Sequence, residues 1–358
     1  MTILLVRLRL IGDVVFTTPA IRALARRFPG AHIIYVVETA ALPVVARNPH
    51  VTEVVSVPHI RGLRRLVDDA RLARRLRAAR PDLAIDFHGG PRSAWLTWAS
   101  RAPMRVGYDV QGRTWMYTHV VHRPRELRPR HSVENQWDLL APVDPVFARR
   151  ADPDIDRVEM PVDPAARDAV DRRIAGWRVP ADARLIVIHV SAGNPFRRWP
   201  EASFASLAGN LAASDATRWV LLAGGPSDHD ATSRVLLAAR SQAGPAAGGR
   251  IIDGEGLSLE ELRALMDRAA LFVGGDSGPL HVASTSDVPI VGLFGPTLPA
   301  RSAPWRPPAI PTASVDAGQL PCRPCDQRVC APGDFRCLTT VSAAAVRAAA
   351  ERLLESAR

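Results

Sequence analysis

The stretch ALFVGGDSGPLHVAS, residues 270–284, starts as an apolar strand, passes through Gly274, Gly275 and Gly278, and enters a helix with Pro279 in its first turn. Proline costs little there, because the first N–H of a helix has no intrahelical partner. A strand feeding through glycines into a helix is the start of a βα unit. It also leaves free backbone N–H groups at the positive end of a helix dipole, where phosphate binds readily. The plainer reading is that Asp276 or Ser277 only caps the helix.

The pattern repeats on both sides of this stretch. Upstream lie RLIVIHV, a helix after Pro200, RWVLLAGG, a helix from about Asp228, RIIDG and a helix from Ser258 to Arg268; downstream lies PIVGLFG. The first half runs the same way: TILLVR, a helix from about Thr18 to Phe28, HIIYVV, a short helix near Leu42, VTEVVSV, the arginine-rich 62–80 and LAIDFHG. Such alternation predicts parallel sheets built from βα units. Residues 145–182 break it with a Pro- and Asp-dense connection followed by a helix. The expected architecture is therefore α/β, with two Rossmann-like domains, 1–160 and 161–358, facing across a cleft. A terminal helix over 342–356 carries Val346, Ala349 and Leu353 at helical spacing, a stripe suited to packing back across the domain boundary.

A chain of 358 residues is long enough for two such cores. No apolar run approaches the roughly 18–20 residues of a membrane span, and the opening segment, interrupted by Arg7 and Arg9, reads as a strand rather than a signal peptide. The expected location is the cytoplasm. All 46 basic residues of the Lys+Arg count are arginine. Without lysine there is no Schiff-base chemistry and no P-loop or kinase phosphate contact. Residues 1–160 hold 25 Arg against 16 Asp and Glu, whereas the remainder holds 21 against 20. An anionic partner should therefore face the first half.

Four blocks stand in order: RLRLIGDVVFTTPAIRAL (7–24), NPFRRWP (194–200), GGDSGPLHVAS (274–284) and VGLFGPTLP (291–299). Together they resemble the ADP-heptose:lipopolysaccharide heptosyltransferases, glycosyltransferase family 9, over nearly the whole chain. The resemblance implies the two-domain GT-B fold, an inverting transfer, an ADP-heptose donor and an anionic, lipid-linked acceptor of the lipopolysaccharide inner core. Such transfer needs a carboxylate to take the acceptor proton and positive groups to hold the departing diphosphate. Asp13, on the loop after the first strand, matches the family's catalytic aspartate. By sequence alone it could equally cap the next helix. Gly12 beside it would let the backbone approach the acceptor.

Arg197 stands where the family has a phosphate-binding lysine. Its planar fork can grip phosphate oxygens in pairs, where an ammonium is a point charge. The resemblance gives the donor's diphosphate and sugar to Asp276, Ser277 and Gly278. His281, one turn in, either donates to phosphate or is a satisfied core histidine. On the acceptor side, Arg61, Arg64 and Arg65 fall within about one helical turn and can converge on one anionic group. Arg92 follows another strand edge. The plainer reading of the helix is a solvated face over a stripe of Leu63, Leu66 and Leu76.

With arginine and a helix dipole supplying positive charge, no metal or other cofactor is expected in catalysis. Cys322, Cys325, Cys330 and Cys337 make two close pairs, which would suit a structural zinc, two disulfides or four free thiols. The arginine patch would also hold the protein loosely at the anionic inner face of the cytoplasmic membrane.

Three other readings fit less well. A nucleotide-sugar 2-epimerase would have no use for a separate basic acceptor platform. A nucleic-acid partner, prompted by the net charge of +10, finds no recognition helix or stacking platform, so none is expected. A dinucleotide dehydrogenase needs three glycines where RLIGDVVFTTP has one.

Overall fold

The computed structural model describes residues 1–58, 62–123, 129–190, 194–325 and 327–356, with the side chains of 63, 64 and 195 excepted. The chain divides into two compact units, Met1–Pro161 and Val162–Arg358. The first contains β1 (Thr2–Val6), β2 (His32–Glu38), β3 (Glu53–Val57), β4 (Leu83–Asp86), β5 (Met104–Tyr108) and β6 (His119–Val121). They form one parallel sheet in the order β3-β2-β1-β4-β5-β6. The second unit contains β7 (Arg184–His189), β8 (Arg218–Ala223), β9 (Ile251–Asp253), β10 (Leu271–Gly275), β11 (Ile290–Phe294) and β12 (Thr312–Asp316). Its sheet, also parallel, runs β12-β11-β10-β7-β8-β9. Numbered from its own first strand, this is the same doubly wound order. In such sheets the strand order reverses at one point, between β1 and β4 in the first and between β7 and β10 in the second. The loops beyond the carboxyl ends of those strands are where ligands bind.

Central strands of these sheets are covered on both faces, which is why they read as unbroken apolar runs. Ile3, Leu5 and Val6 of β1 are fully buried, as are Leu271, Phe272 and Val273 of β10. In β7, Ile186 and Ile188 enter one core with the helix Glu201–Ser214, while Leu185 and Val187 enter the core on the opposite face. The terminal helix Ala343–Ser356, expected to pack across the domain boundary, lays Val346, Ala349, Ala350 and Leu354 into the first of those two cores. It is fastened there by Glu351, whose Oε2 takes Arg218 Nη2 at 2.7 Å. The Ser258 helix start is a capping box: Ser258 Oγ accepts the Glu261 N–H at 3.1 Å, and Glu261 Oε2 accepts the Ser258 N–H at 2.8 Å.

His189, at the end of β7, is buried, and burial holds its pKa down at about 4 although Asp228 pulls it upward. A base with a lowered folded pKa leaves the unfolded chain binding more protons, so stability falls as pH drops from about 6.5 toward 4. The expected loss from this one group by pH 4 is on the order of 3 kcal/mol. Chemical denaturation across that range should show a shallower acid slope for His189→Gln than for the wild type. An unchanged slope would mean that His189 does not titrate on unfolding.

Candidate active site

In the first unit the groups of interest gather where β1 and β4 end. Asp13 lies in the first turn of the helix Ile11–Val15, with Gly12 buried beside it. Its Oδ2 accepts the Leu10 N–H at 3.3 Å and pairs with Arg7 Nη2 at 2.5 Å. Asp13 thus does cap its helix, yet its side chain remains 33% exposed. Gln136 Nε2 reaches the Asp13 carbonyl at 3.3 Å. The other arm of Arg7, Nη1, donates to the Phe87 carbonyl at 2.5 Å, which ties the end of β1 to the loop after β4.

That loop is organised by Asp86, which is fully buried. Its Oδ1 accepts the N–H groups of His88 at 2.8 Å and Gly89 at 3.0 Å; its Oδ2 accepts Tyr117 Oη–H at 2.7 Å and Ser93 Oγ–H at 3.0 Å. Burial still raises the Asp86 pKa against those four donors. Gly107 makes the arrangement possible, since a Cβ at that position would come within 2.3 Å of the Tyr117 ring. His88 is pushed down to about 4 by burial and by the charges of Arg7 and Arg9. It is therefore neutral at pH 7.

The arginines expected on the acceptor side have different fates. Arg92, in the helix Pro91–Ala99, is largely covered, its side chain 10% exposed, and places Nε and Nη2 on Asp69 Oδ1 at 2.9 and 2.6 Å. Its charge is balanced inside the unit. Arg65 reaches the other oxygen of Asp69 at 3.5 Å and stays substantially exposed. Arg64 lies on the helix Leu63–Ala78, and Arg61 falls outside the described residues. Of the apolar stripe, Leu76 is buried but Leu66 is exposed, as is Val67.

In the second unit, the ends of β7 and β10 bring together Arg197, Asp276 and His281. Arg197 closes a 3-10 turn, Pro195–Arg197, and donates from Nη1 to the Asp276 carbonyl at 2.7 Å and from Nε to Gln327 Oε1 at 3.0 Å. The Asp276 carboxylate is 4% exposed: Thr297 Oγ1 donates to Oδ2, and His281 Nε2 lies 3.3 Å from Oδ1. Burial alone would raise its pKa. The hydrogen bond and charge of His281, the Arg197 charge and Thr297 outweigh that and hold it at about 2. Asp276, expected to orient sugar hydroxyls, has its carboxylate turned toward Thr297, His281 and Arg197 under this loop. Ser277 has extended backbone before the helix Gly278–Ala283, with Pro279 in the first turn, as the sequence predicts.

The four cysteines are free thiols that line one pocket of about 240 Å³ with Phe196, Phe335 and Arg336. Neither disulfide is formed. Among the described residues, no group of three or more His, Cys, Asp or Glu is placed to hold a metal ion. The segment does reach the loops after β7 and β11, because Gln327 grips Arg197 and Cys325 N–H donates to the Pro296 carbonyl at 3.3 Å.

Sequence reasoning missed Arg7, Asp86, Thr297 and Gln327. Arg7 follows directly on the first strand, a position that could have drawn attention. Gln327, 130 residues from Arg197, had no sequence signal.

Paired doubly wound parallel sheets, each with polar groups gathered at its switch point, are the GT-B class of sugar-transferase folds. The family model of glycosyltransferase family 9 (heptosyltransferase) matches residues 70–333, and the chain belongs to that family of transferases. It is 27% identical over 358 residues to lipopolysaccharide heptosyltransferase 3 of Escherichia coli, covering 98% of each chain. It is 28% identical over 346 residues to lipopolysaccharide heptosyltransferase 1 of Pseudomonas aeruginosa, covering 92% of this chain and 87% of the relative. The solved structure of E. coli ADP-heptose lipopolysaccharide heptosyltransferase II has a similar fold, with a TM-score of 0.78 at 20% identity over 99% of each chain.

Proposed function

We propose that the enzyme transfers heptose from ADP-heptose, with inversion at the anomeric carbon, to an anionic saccharide of the lipopolysaccharide inner core. Asp13 acts as general base. It takes the acceptor hydroxyl proton while that oxygen attacks the anomeric carbon, and the bond from this carbon to the β-phosphate oxygen breaks to release ADP. Arg197 and the backbone N–H groups of Ser277 and Gly278 carry the charge that develops on the leaving diphosphate. The observation that carries the reading is Asp13 itself, a half-buried carboxylate held at the carboxyl edge of β1, beside the strand-order reversal. The names of the relatives supply the donor and the acceptor class.

No catalytic metal is required in this reading, since Arg197 already supplies positive charge at the leaving group. The acceptor lies against the basic first unit, at Arg61, Arg64 and Arg65, with Arg92 fixing Asp69, the partner of Arg65. Exposed Leu66 and Val67 on the same helix support a peripheral seat at the anionic inner leaflet, with the active site on the cytoplasmic side. No described helix is long and apolar enough to cross a membrane.

The test is transfer from ADP-heptose to truncated core acceptors, with the new linkage read by NMR and the assay repeated in EDTA. Inverted linkage with activity retained in EDTA is expected. Turnover of the nucleotide-sugar without acceptor would replace this reading with an epimerase, and metal-dependent activity would remove the arginine argument. Stoichiometric zinc in the purified protein would reassign the cysteine pocket to a metal. Neutralising Arg61, Arg64 and Arg65 together should raise acceptor KM and flatten its salt dependence without changing ADP affinity. Loss of ADP affinity at constant acceptor KM would reverse the assignment of the two units.

A further inference from the structure

We propose that Arg7 is the positioning residue for the base: it occupies Oδ2 of Asp13, so that Oδ1 alone faces the acceptor hydroxyl, and its own anchor is the loop fixed by buried Asp86. The proposal rests on the reading of Asp13 as general base.

Both donors that reach the Asp13 carboxylate, the Leu10 N–H at 3.3 Å and Arg7 Nη2 at 2.5 Å, end on Oδ2. A carboxylate held by two donors on one oxygen has restricted torsion, and the other oxygen points in a defined direction. Arg7 is only 12% exposed, so its fork is held in place rather than swinging in solvent. The second arm gives it an absolute reference, because Nη1 rests on the Phe87 carbonyl at 2.5 Å.

Phe87 is itself held in place, being buried and following directly on Asp86, which clamps the next two backbone N–H groups, those of His88 and Gly89. Asp86 is fixed in turn by Tyr117 and Ser93. A continuous set of short contacts thus runs from Tyr117 through Asp86, the 87–89 loop and Arg7 to Asp13. Every link is a hydrogen bond, an ion pair or an adjacent peptide. Neutral His88, on the same loop, adds no competing positive charge beside the carboxylate.

A guanidinium is the side chain this task needs. It offers parallel N–H groups in a rigid plane and can bridge a carbonyl and a carboxylate at once, whereas a lysine can serve only one well. Displacement of a reacting group by about 1 Å can cost about 100-fold in rate, so a positioning role should appear in kcat.

The experiment is a kinetic series on the full-length enzyme: Arg7→Gln, Arg7→Ala, Arg7→Lys and Tyr117→Phe, with Asp13→Ala as reference, and ADP affinity as the check on folding. Arg7→Gln is expected to lower kcat by about 100-fold, with acceptor KM and ADP affinity within about twofold of wild type. Arg7→Lys should fall between the two, and guanidinium ion should partly restore Arg7→Ala. Tyr117→Phe should lower kcat by a smaller factor, and in combination with Arg7→Gln the losses should not multiply, since both act through the same carboxylate. Three outcomes overturn the proposal: wild-type kcat in Arg7→Gln while Asp13→Ala is dead, a rise in acceptor KM at constant kcat, or fully multiplicative losses. Activity in Asp13→Ala would instead defeat the underlying reading of the base. A folding defect in Arg7→Gln leaves Arg7→Lys and its kcat-to-KM split to decide.

Discussion

Asp13→Asn is expected to lose transfer by about 100- to 10,000-fold, the usual worth of a positioned general base, while binding ADP like the wild type. Asparagine is the sharper choice than alanine. Its amide oxygen can still accept from the Leu10 N–H and from Arg7, so the helix start is kept and only the proton-accepting ability is removed. Asp13→Ala should lose a similar factor in rate and also about 1 kcal/mol of stability with the cap. Donor affinity should hold in both, because the groups assigned to the diphosphate lie in the other unit, on the loops after β7 and β10. Transfer rate and ADP affinity, measured separately by single-turnover assay and calorimetry, decide the matter. Wild-type turnover in Asp13→Asn would leave Asp13 as a capping residue and nothing more.

Arg197→Ala should weaken ADP binding by roughly 10- to 100-fold, corresponding to about 1.5–3 kcal/mol for a charge-assisted contact. The effect has two sources. The phosphate loses its partner, and the Asp276 carbonyl and Gln327 lose the guanidinium that spans them. Removing that positive charge also takes away one of the influences that keep the buried Asp276 ionised. Arg197→Lys tells these apart: a lysine restores the charge but cannot serve the Asp276 carbonyl, Gln327 and a phosphate together. Retention of most activity would show that charge dominates. An inactive lysine variant would show that the fork is needed to build the loop.

The legible part of the fold was the part governed by burial on both faces. TILLVR, HIIYVV, RLIVIHV, RWVLLAGG and ALFVGG are unbroken apolar runs because each lies in a covered region of its sheet. β5, with Met104 and Arg105 in its first half, and the edge strands β6 and β12 gave no such run, since an edge strand is only partly covered. The helix Leu63–Ala78 was legible as a helix but not as a packed surface. The spacing predicts Leu66 in the core, yet it is exposed, because a leucine at helical period is buried only where a neighbour exists to cover it.

For the site, sequence determined the residues whose role follows from their position along the chain. The glycine-rich turn before Pro279, Asp13 just past the first strand and the arginine in NPFRRWP all depend on local geometry, a strand end or a helix start, which a few adjacent residues encode. Tertiary structure alone decided how those residues are partnered. Arg92 spends its fork on Asp69, Asp276 is sealed under Thr297 and His281, and Arg7 joins Asp13 to a loop 80 residues away. An ion pair or a buried carboxylate depends on which side chains converge when strands of one sheet are ordered β3-β2-β1-β4-β5-β6 rather than in sequence. That order places β4 beside β1, and no local pattern of charge or hydrophobicity records it.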